Sequence, residues 1–204
     1  MIKTDKSKYN LILNKTSTYY IERSASNSFH LMLKAGKKLA NQIFINYKKR
    51  KTLIICGIGG NGGDGFIVAQ ELLNKKWDTD VVIIGNKNLI KGDALKALNQ
   101  LKIKPKNFED INLNKIGLFV DALFGIGLSR KINNKAKEIL KTIDKHKAPI
   151  VGVDIPSGID SNTGQVRGYA QYCDLVITFS TLKYGHILVP GSEKYNKIKV
   201  ENIG

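Results

Sequence analysis

Cysteine and histidine are scarce in this sequence, which limits the kinds of site it can build. The chain has two cysteines, Cys56 and Cys173, too few for a framework of disulfides, and its three histidines are scattered. Zinc sites and Ser-His-Asp triads need such residues in set patterns, and the sequence contains no such pattern. We therefore expect two reduced, buried thiols, as in cytosolic proteins, and no histidine-centred site.

Long apolar runs are also missing. Met1 to Ser26 carries charges every few residues without the apolar centre of a secretory signal, and no later run approaches a membrane span. We expect a soluble, cytoplasmic protein with no membrane partner. The 204 residues, 42% of them hydrophobic, suit one globular domain over residues 1–204, in which residues 1–25 form an N-terminal extension.

Acidic side chains are outnumbered by basic ones, 17 against 33, which gives a formal net charge of +16. This charge suits an anionic partner, and Lys137, Lys141 and Lys145 would line one face of a helix. Lysine is, however, abundant along the whole chain and is not interleaved with the aromatic side chains on which bases stack. We expect no dedicated nucleic-acid binding.

The most informative segment is a glycine-rich one. The apolar run Thr52 to Cys56 is followed by six glycines within the nine residues 57–65, and a helix is predicted over 65–75. Glycines let backbone N–H groups approach an anion, and Gly57, Gly59 and Gly62 match G-x-G-x-x-G. A nucleotide-like ligand is the first hypothesis, and a turn where strand and helix simply pack closely is the alternative.

A conventional dinucleotide site also needs an acid at the carboxyl end of the second strand to bind the ribose. That strand is predicted over 80–84 and ends in Gly85, Asn86 and Lys87, whereas Asp78 and Asp80 lie at its other end. An NAD(P)-dependent oxidoreductase is therefore a disfavoured alternative.

Strands and helices alternate along the chain. The predicted elements are a helix over 26–49, a strand over 52–56, a helix over 65–75, a strand over 80–84, a helix over 91–101, a strand over 116–120, a helix over 133–146, and strands over 149–153, 174–179 and 197–201. This order predicts an α/β protein with a three-layer Rossmann-like fold, in which helices flank a mostly parallel central sheet.

Ligands of such sheets bind beyond the carboxyl ends of the strands. Three predicted strands end in a polar side chain and a glycine-containing turn: the strand before the glycine segment, the strand before Asp121, and the strand before Asp154. Each acid alone is equally well explained as a helix cap or turn former. Because all three turns would meet at one edge of the sheet, we expect a single pocket there.

Three motifs now resemble a known family, the YjeF N-terminal domain of the NAD(P)H-hydrate epimerases. Residues 57–65 match G-x-G-N-N-G-G-D-G, residues 121–128 match D-A-L-F-G-T-G-L, and residues 154–164 match D-I-P-S-G-x-D-x-x-T-G. Residues 178–185 and Pro190-Gly191 are also similar, so the resemblance covers 28–204. The departures are Gly60 for the family's first Asn, Ile126 for Thr, and Leu33-Lys34 for Glu-Asn.

The resemblance implies a function in nicotinamide nucleotide repair. The family interconverts R- and S-NAD(P)HX, the hydrated forms of NADH and NADPH, and works with a separate or fused dehydratase, commonly as a homodimer. By resemblance, Asp154 is the catalytic acid and base, and a potassium ion lies between Asn61, Asp121 and Ser157. The residues expected to bind substrate are Gly60, Asn61, Gly62, Gly63, Asp64, Gly125, Ile126, Gly127, Leu128, Ser129, Arg130, Lys131 and Asp154.

One further alternative comes from the same resemblance. Domains of this family also serve as catalytically inactive, dimeric binding modules, and loss of Asp154 would have indicated such a role. Asp154 is present. The preference for NADHX or NADPHX, and the presence of a dehydratase domain beyond this segment, stay open.

Overall fold

The computed structural model describes residues 11–24 and 27–204, with the side chains of 22–24 left aside. The rest of the expected extension, residues 1–10 and residue 25, lies outside the described residues. The elements are β1 (Ile12–Leu13), α1 (Lys15–Ser24), α2 (Ser28–Asn46), β2 (Thr52–Cys56), α3 (Gly60–Asn74), β3 (Thr79–Ile83), α4 (Gly92–Gln100), β4 (Leu118–Ala122), α5 (Asn134–Asp144), β5 (Ile150–Val153), β6 (Cys173–Phe179), β7 (Leu182–Lys183) and β8 (Tyr195–Glu201).

Six strands form one parallel sheet in the order β3-β2-β4-β5-β6-β8. Alternate residues of a strand belong to different cores: Ile54 packs with α2, α3 and α4, whereas Leu53 and Ile55 pack with α5. Helices therefore cover both faces, which is why the strands are nearly continuous apolar runs. The predicted three-layer α/β fold is confirmed.

Helix α3 begins at Gly60, five residues before the predicted start at 65. Glycines are needed in the first turns of this helix because these turns lie directly against the strand ends, where a side chain would not fit. A Cβ on Gly62 would lie 1.9 Å from the Gly57 carbonyl oxygen, and one on Gly65 would lie 2.7 Å from Cys56 Sγ. The close-packing alternative is thus correct for these two glycines, and it coexists with an exposed helix N-terminus.

Two further boundaries differ from expectation. Strand β4 runs to Ala122, so Asp121 is the second-last residue of the strand, paired with Ile55 of β2, and does not follow the strand. Helix α2 begins at Ser28, where Asn27 caps it by accepting a hydrogen bond from the His30 N–H at 3.0 Å, and it ends at Asn46, three residues before the predicted end. The two cysteines are free and buried, as predicted.

The strands β1 and β7 and the helix α1 were not predicted. Strand β1 pairs in parallel with β7, with Ile12 opposite Leu182 and Leu13 opposite Lys183, and α1 follows directly. Two-residue strands have no periodicity that a sequence pattern could reveal. Across the described ranges, no helix combines the length and hydropathy needed to cross a membrane.

Candidate active site

The three turns expected to form one pocket do meet at the carboxyl edge of the sheet. The Gly57 N–H donates to the Ala122 carbonyl at 3.0 Å, which joins the first turn to the second. The Phe124 N–H donates to Ser157 Oγ at 2.8 Å, which joins the second turn to the third. Segments far apart in sequence therefore meet at one edge of the sheet, as predicted, but the cavity beside α3 is lined by residues of the first turn and by none of the second or third.

The glycine segment offers backbone donors at this rim. In the first turn of α3, the N–H groups of Gly60, Asn61 and Gly62 have no partner within the helix, whereas the Gly63 N–H donates to the Gly59 carbonyl at 3.1 Å. These groups and the helix dipole together favour an anion. Asp64 lies one residue further into the helix.

Asp121 and Ser157 are in direct contact. Ser157 donates to the Asp121 carboxylate from both Oγ, at 2.6 Å, and its backbone N–H, at 2.9 Å. Burial raises the pKa of Asp121, although these hydrogen bonds oppose the shift. Asp121 is only 2% exposed, and no lysine or arginine of residues 11–21 or 27–204 forms an ion pair with it.

Asn61 packs against the second turn. A Cβ on Gly125 would lie 2.9 Å from Asn61 Oδ1, so a glycine is needed for this approach. The amide nitrogen of Asn61 is buried and has no hydrogen-bond partner. A buried polar atom without a partner is costly and is uncommon in folded proteins, so the Asn61 amide suits contact with a polar ligand, either as placed or turned.

Asp154 has an unusual backbone and an ionised carboxyl group. Its φ of +63° lies in the left-handed region, which residues other than glycine rarely adopt. Its Oδ1 accepts hydrogen bonds from Lys183 Nζ at 2.6 Å and Thr178 Oγ1 at 2.8 Å. Burial alone would raise the pKa of Asp154, but the charge and hydrogen bond of Lys183 outweigh it and lower the pKa.

Lys183 belongs to the candidate site, although the sequence did not single it out. It is 1% exposed, and its ammonium donates to Asp154, to Thr178 Oγ1 at 2.8 Å and to the Phe179 carbonyl at 3.1 Å. All three N–H donors of the group are used. The only available signal was its position inside residues 178–185, which resemble the family's closing strand.

His186 forms hydrogen bonds with the backbone of both Lys183 and Asp154. Its Nδ1 accepts a hydrogen bond from the Lys183 N–H at 3.0 Å, so Nε2 carries the proton and donates to the Asp154 carbonyl at 2.8 Å. Burial, with the nearby Lys183 charge, lowers the pKa of His186 to about 4. The imidazole is therefore neutral at pH 7 and holds the backbone of Asp154.

The second turn is stabilised from several directions. Within it the Leu128 N–H donates to the Gly125 carbonyl at 3.1 Å, and Ser161 Oγ donates to the Ile126 carbonyl at 3.4 Å. The residues at its far end, Ser129, Arg130 and Lys131, are exposed at the rim.

A cavity of 200 Å³ opens beside the N-terminus of α3. Its walls are mostly apolar, and two carboxylates face it. The lining residues are Ser28, Leu31, Met32, Ala35, Gly60, Asp64, Asp93, Phe179 and Ile203.

A ribose-binding acid is absent from the second strand, as the sequence indicates. Asp80 lies at the amino end of β3, where it forms ion pairs with Lys51 at 3.0 Å and Lys106 at 2.6 Å. This carboxylate lies at the amino ends of the strands, whereas the candidate site lies at their carboxyl ends.

This fold and site define a class of protein. The family model described as YjeF-related protein N-terminus matches residues 22–185, and the chain belongs to this family. The resemblance found in the sequence is thereby confirmed.

Several curated relatives are similar over much of the chain. The NAD(P)H-hydrate epimerase of Weissella koreensis is 34% identical over 160 residues, which cover 76% of this chain and 71% of the relative. That of Lentilactobacillus buchneri is 34% identical over 182 residues, covering 87% of this chain and 84% of the relative.

Other relatives are longer proteins. The bifunctional NAD(P)H-hydrate repair enzyme Nnr of Moorella thermoacetica is 30% identical over 204 residues, which cover 90% of this chain but 38% of the relative. Among solved structures, that of yeast ynu0, YNL200c, superposes with a TM-score of 0.75 at 21% identity, covering 94% of this chain and 88% of the other. This last likeness shows the fold.

Proposed function

We propose that the protein interconverts the R and S epimers of NAD(P)HX, so that a dehydratase of one stereospecificity repairs both. The observation that carries the proposal is the buried Asp154–Lys183 pair at the edge of the sheet, beside turns that offer unpaired backbone donors. The names of relatives that this chain matches over most of their length support it.

The reaction inverts one nicotinamide ring carbon that bears a hydroxyl group. It needs a group that takes a proton and returns it while C–O bonding is broken and remade, with the rest of the molecule held still. Asp154 meets this need, because it is ionised at neutral pH and accepts the proton first. Within the described residues, the hydrogen bonds to the Asp154 carboxylate go to its Oδ1. The other oxygen, Oδ2, is therefore left for the substrate.

The phosphates of the substrate bind at the N-terminus of α3 in this proposal. Gly60, Asn61 and Gly62 supply N–H groups there, and the helix dipole favours the negative charge. The exposed Arg130 and Lys131 add positive charge from the second turn. The adjacent 200 Å³ cavity gives space for one ring of the dinucleotide.

A potassium ion fits the three residues expected to hold it. Asp121 and Ser157 offer oxygen atoms, which hard cations prefer, and the buried Asp121 carboxylate has no cationic side chain paired with it in the described part of the chain. If the Asn61 amide is turned, its oxygen replaces the unpartnered buried nitrogen. Such an ion would supply positive charge beside the bound substrate, and Asn61, Asp121 and Ser157 would hold it.

The decisive experiment adds the purified protein to equilibrated R/S-NADHX with an S-specific or R-specific dehydratase. Without epimerase, the dehydratase consumes its own epimer quickly and the other epimer only in a slow second phase, and we expect the protein to remove this slow phase. A slow phase that persists with folded protein would instead favour the inactive binding module. The homodimer, the dehydratase partner and the cytoplasmic location stay predictions.

A further inference from the structure

The helix α1 lies against the second turn of the candidate site. Lys15, its first residue, donates its backbone N–H to Asn162 Oδ1 at 2.7 Å and its Nζ to the Gly127 carbonyl at 3.3 Å. Asn162 itself is held by Asp160, whose Oδ1 accepts the Asn162 N–H at 2.9 Å. Lys15 is therefore fixed at both its backbone and its side chain.

Tyr19, one helical turn further along, covers the same glycine. A Cβ on Gly127 would lie 3.2 Å from the Tyr19 hydroxyl oxygen, and Lys15 Nζ lies 5.7 Å from the centre of the Tyr19 ring. The ring, the ammonium and the turn thus form one contact surface.

The same segment is also anchored to the catalytic pair. Strand β1 immediately precedes α1, and its Leu13 is opposite Lys183 in β7. Residues 11–19 therefore connect the turn expected to bind substrate with the strand that carries the partner of Asp154. Because the segment is held at two points, the fold itself determines the position of Lys15.

Lys15 carries a charge that the described residues leave unpaired. No carboxylate in the described part of the chain forms an ion pair with it, whereas the nearby Arg167 is paired with Asp160. An ammonium has three donors, and the Gly127 carbonyl uses one. Two donors and a full charge are available beside the exposed end of the second turn.

We propose that Lys15 binds a phosphate group of the dinucleotide substrate, beside the turn that Tyr19 covers. The inference rests on the proposed function for the identity of the substrate. Its physical basis is the strength of a charge-assisted hydrogen bond between ammonium and phosphate, in a position that the fold has already ordered. Lys15 is then a binding residue that matters for affinity and not for proton transfer.

The test compares Lys15→Met with Lys75→Met, which removes the same charge. Lys75 is exposed and follows the last residue of α3, whose 15 residues place it about 22 Å from the site edge. We expect Lys15→Met to raise the KM for NADHX about tenfold with kcat changed less than about twofold, and Lys75→Met to behave as the wild type. Added salt should raise the wild-type KM more than that of Lys15→Met.

Two further measurements separate the possible failures. Calorimetric titration with ADP reports phosphate binding without turnover, and Lys15→Met should weaken it about tenfold, whereas Lys15→Arg should retain most of the affinity. Equal ADP affinity and equal KM in Lys15→Met and Lys75→Met would overturn the inference. A loss shared by Lys15→Arg would assign the residue to packing. Wild type that binds ADP but does not epimerise NADHX would overturn only the proposed function.

Discussion

At the scale of single residues, a buried lysine decides the state of the carboxylate that the proposed chemistry requires. Asp154 is 8% exposed, and in apolar surroundings such a group would be protonated near neutral pH. Lys183 and Thr178 keep it ionised by binding one of its oxygens. His186 fixes the backbone of Asp154, and this contact helps to keep the residue in its left-handed conformation.

Asp154→Asn should lower the rate of epimerisation at least about a hundredfold, because the amide cannot carry the proton. Asn tolerates a positive φ and can still accept from Lys183. The variant should nevertheless lose about 3 kcal/mol of unfolding free energy, because it leaves the Lys183 ammonium buried without its counter-charge. Turnover with NADHX and denaturant unfolding measure the two effects.

The double variant Asp154→Asn with Lys183→Met is the control for this prediction. It removes both charges, so most of the lost stability should return while activity stays absent. Near-normal turnover of the single variant would exclude Asp154 as the proton carrier.

His186 should make stability depend on pH. Its pKa falls from 6.5 to about 4 on folding, so between these values the unfolded chain binds a proton that the native protein does not. The free energy of unfolding therefore rises with pH across this window. It should be about 2 kcal/mol lower at pH 5 than at pH 7. Asp154, whose pKa is lowered from 3.8, contributes only at more acidic pH.

Urea unfolding at pH 5 and pH 7 checks this expectation. His186→Gln is the matched variant, since its amide can accept from the Lys183 N–H and donate to the Asp154 carbonyl but does not titrate. The difference in unfolding free energy between the two pH values should be about 2 kcal/mol smaller in the variant. Equal differences would show that His186 does not remain neutral in the native protein.

At the scale of elements, the start of α3 combines packing with binding. Gly62 and Gly65 allow the helix to lie against the strand ends, and this contact aims the unpaired N–H groups at the edge of the sheet. Gly60 is different, because a Cβ there would meet nothing within 4 Å. It also has no positive φ, so a side chain is tolerated at this position.

Gly60→Asn restores the residue typical of the family and should be accommodated without loss of stability. One added hydrogen bond contributes on the order of 0.5–1.5 kcal/mol, so substrate should bind several-fold more tightly at most, with similar turnover. Gly62→Ala is the control, because its Cβ would lie 1.9 Å from the Gly57 carbonyl oxygen and should lower stability by about 1–3 kcal/mol. KM and melting temperature report both variants.

A different result for Gly60→Asn would favour another function for the protein. If the wild type is inactive and the variant gains activity by orders of magnitude, the family's chemistry has been lost in this chain. The inactive binding module would then be the better account.

At the scale of the whole molecule, the candidate site exists only where three turns from distant parts of the chain meet. Asp121 and Ser157, which are in contact, are 36 residues apart in sequence. A ligand held between such turns binds the native protein and not the unfolded chain, so it must raise the global stability.

Potassium should therefore raise the melting temperature of the wild type, relative to a bulky organic cation at equal ionic strength. Asp121→Asn should abolish this difference, because it replaces a carboxylate oxygen that would bind the ion while preserving the shape of the side chain. Thermal unfolding in potassium chloride and in tetramethylammonium chloride, with ADP present, measures it. Equal wild-type melting temperatures in the two salts would argue against the ion.

Part of this structure was predictable because it depends on local patterns. The apolar, β-branched runs and the helical periods between them determine a parallel sheet covered on both faces, with element ends correct to within a few residues except at α3. The acids and glycines after three strands predicted the edge at which the site forms, and Asp121 and Ser157 do meet there.

By itself, then, the sequence determined the fold class, the edge of the sheet that carries the candidate site, and the family. Tertiary structure alone decided that Lys183 is buried against Asp154, 29 residues away, and that Lys15 reaches Gly127 across 112 residues. The reason is physical. Nothing in a local pattern distinguishes a lysine held by three acceptors in the interior from the many in solvent, because only long-range packing removes water from the charge and supplies its partners.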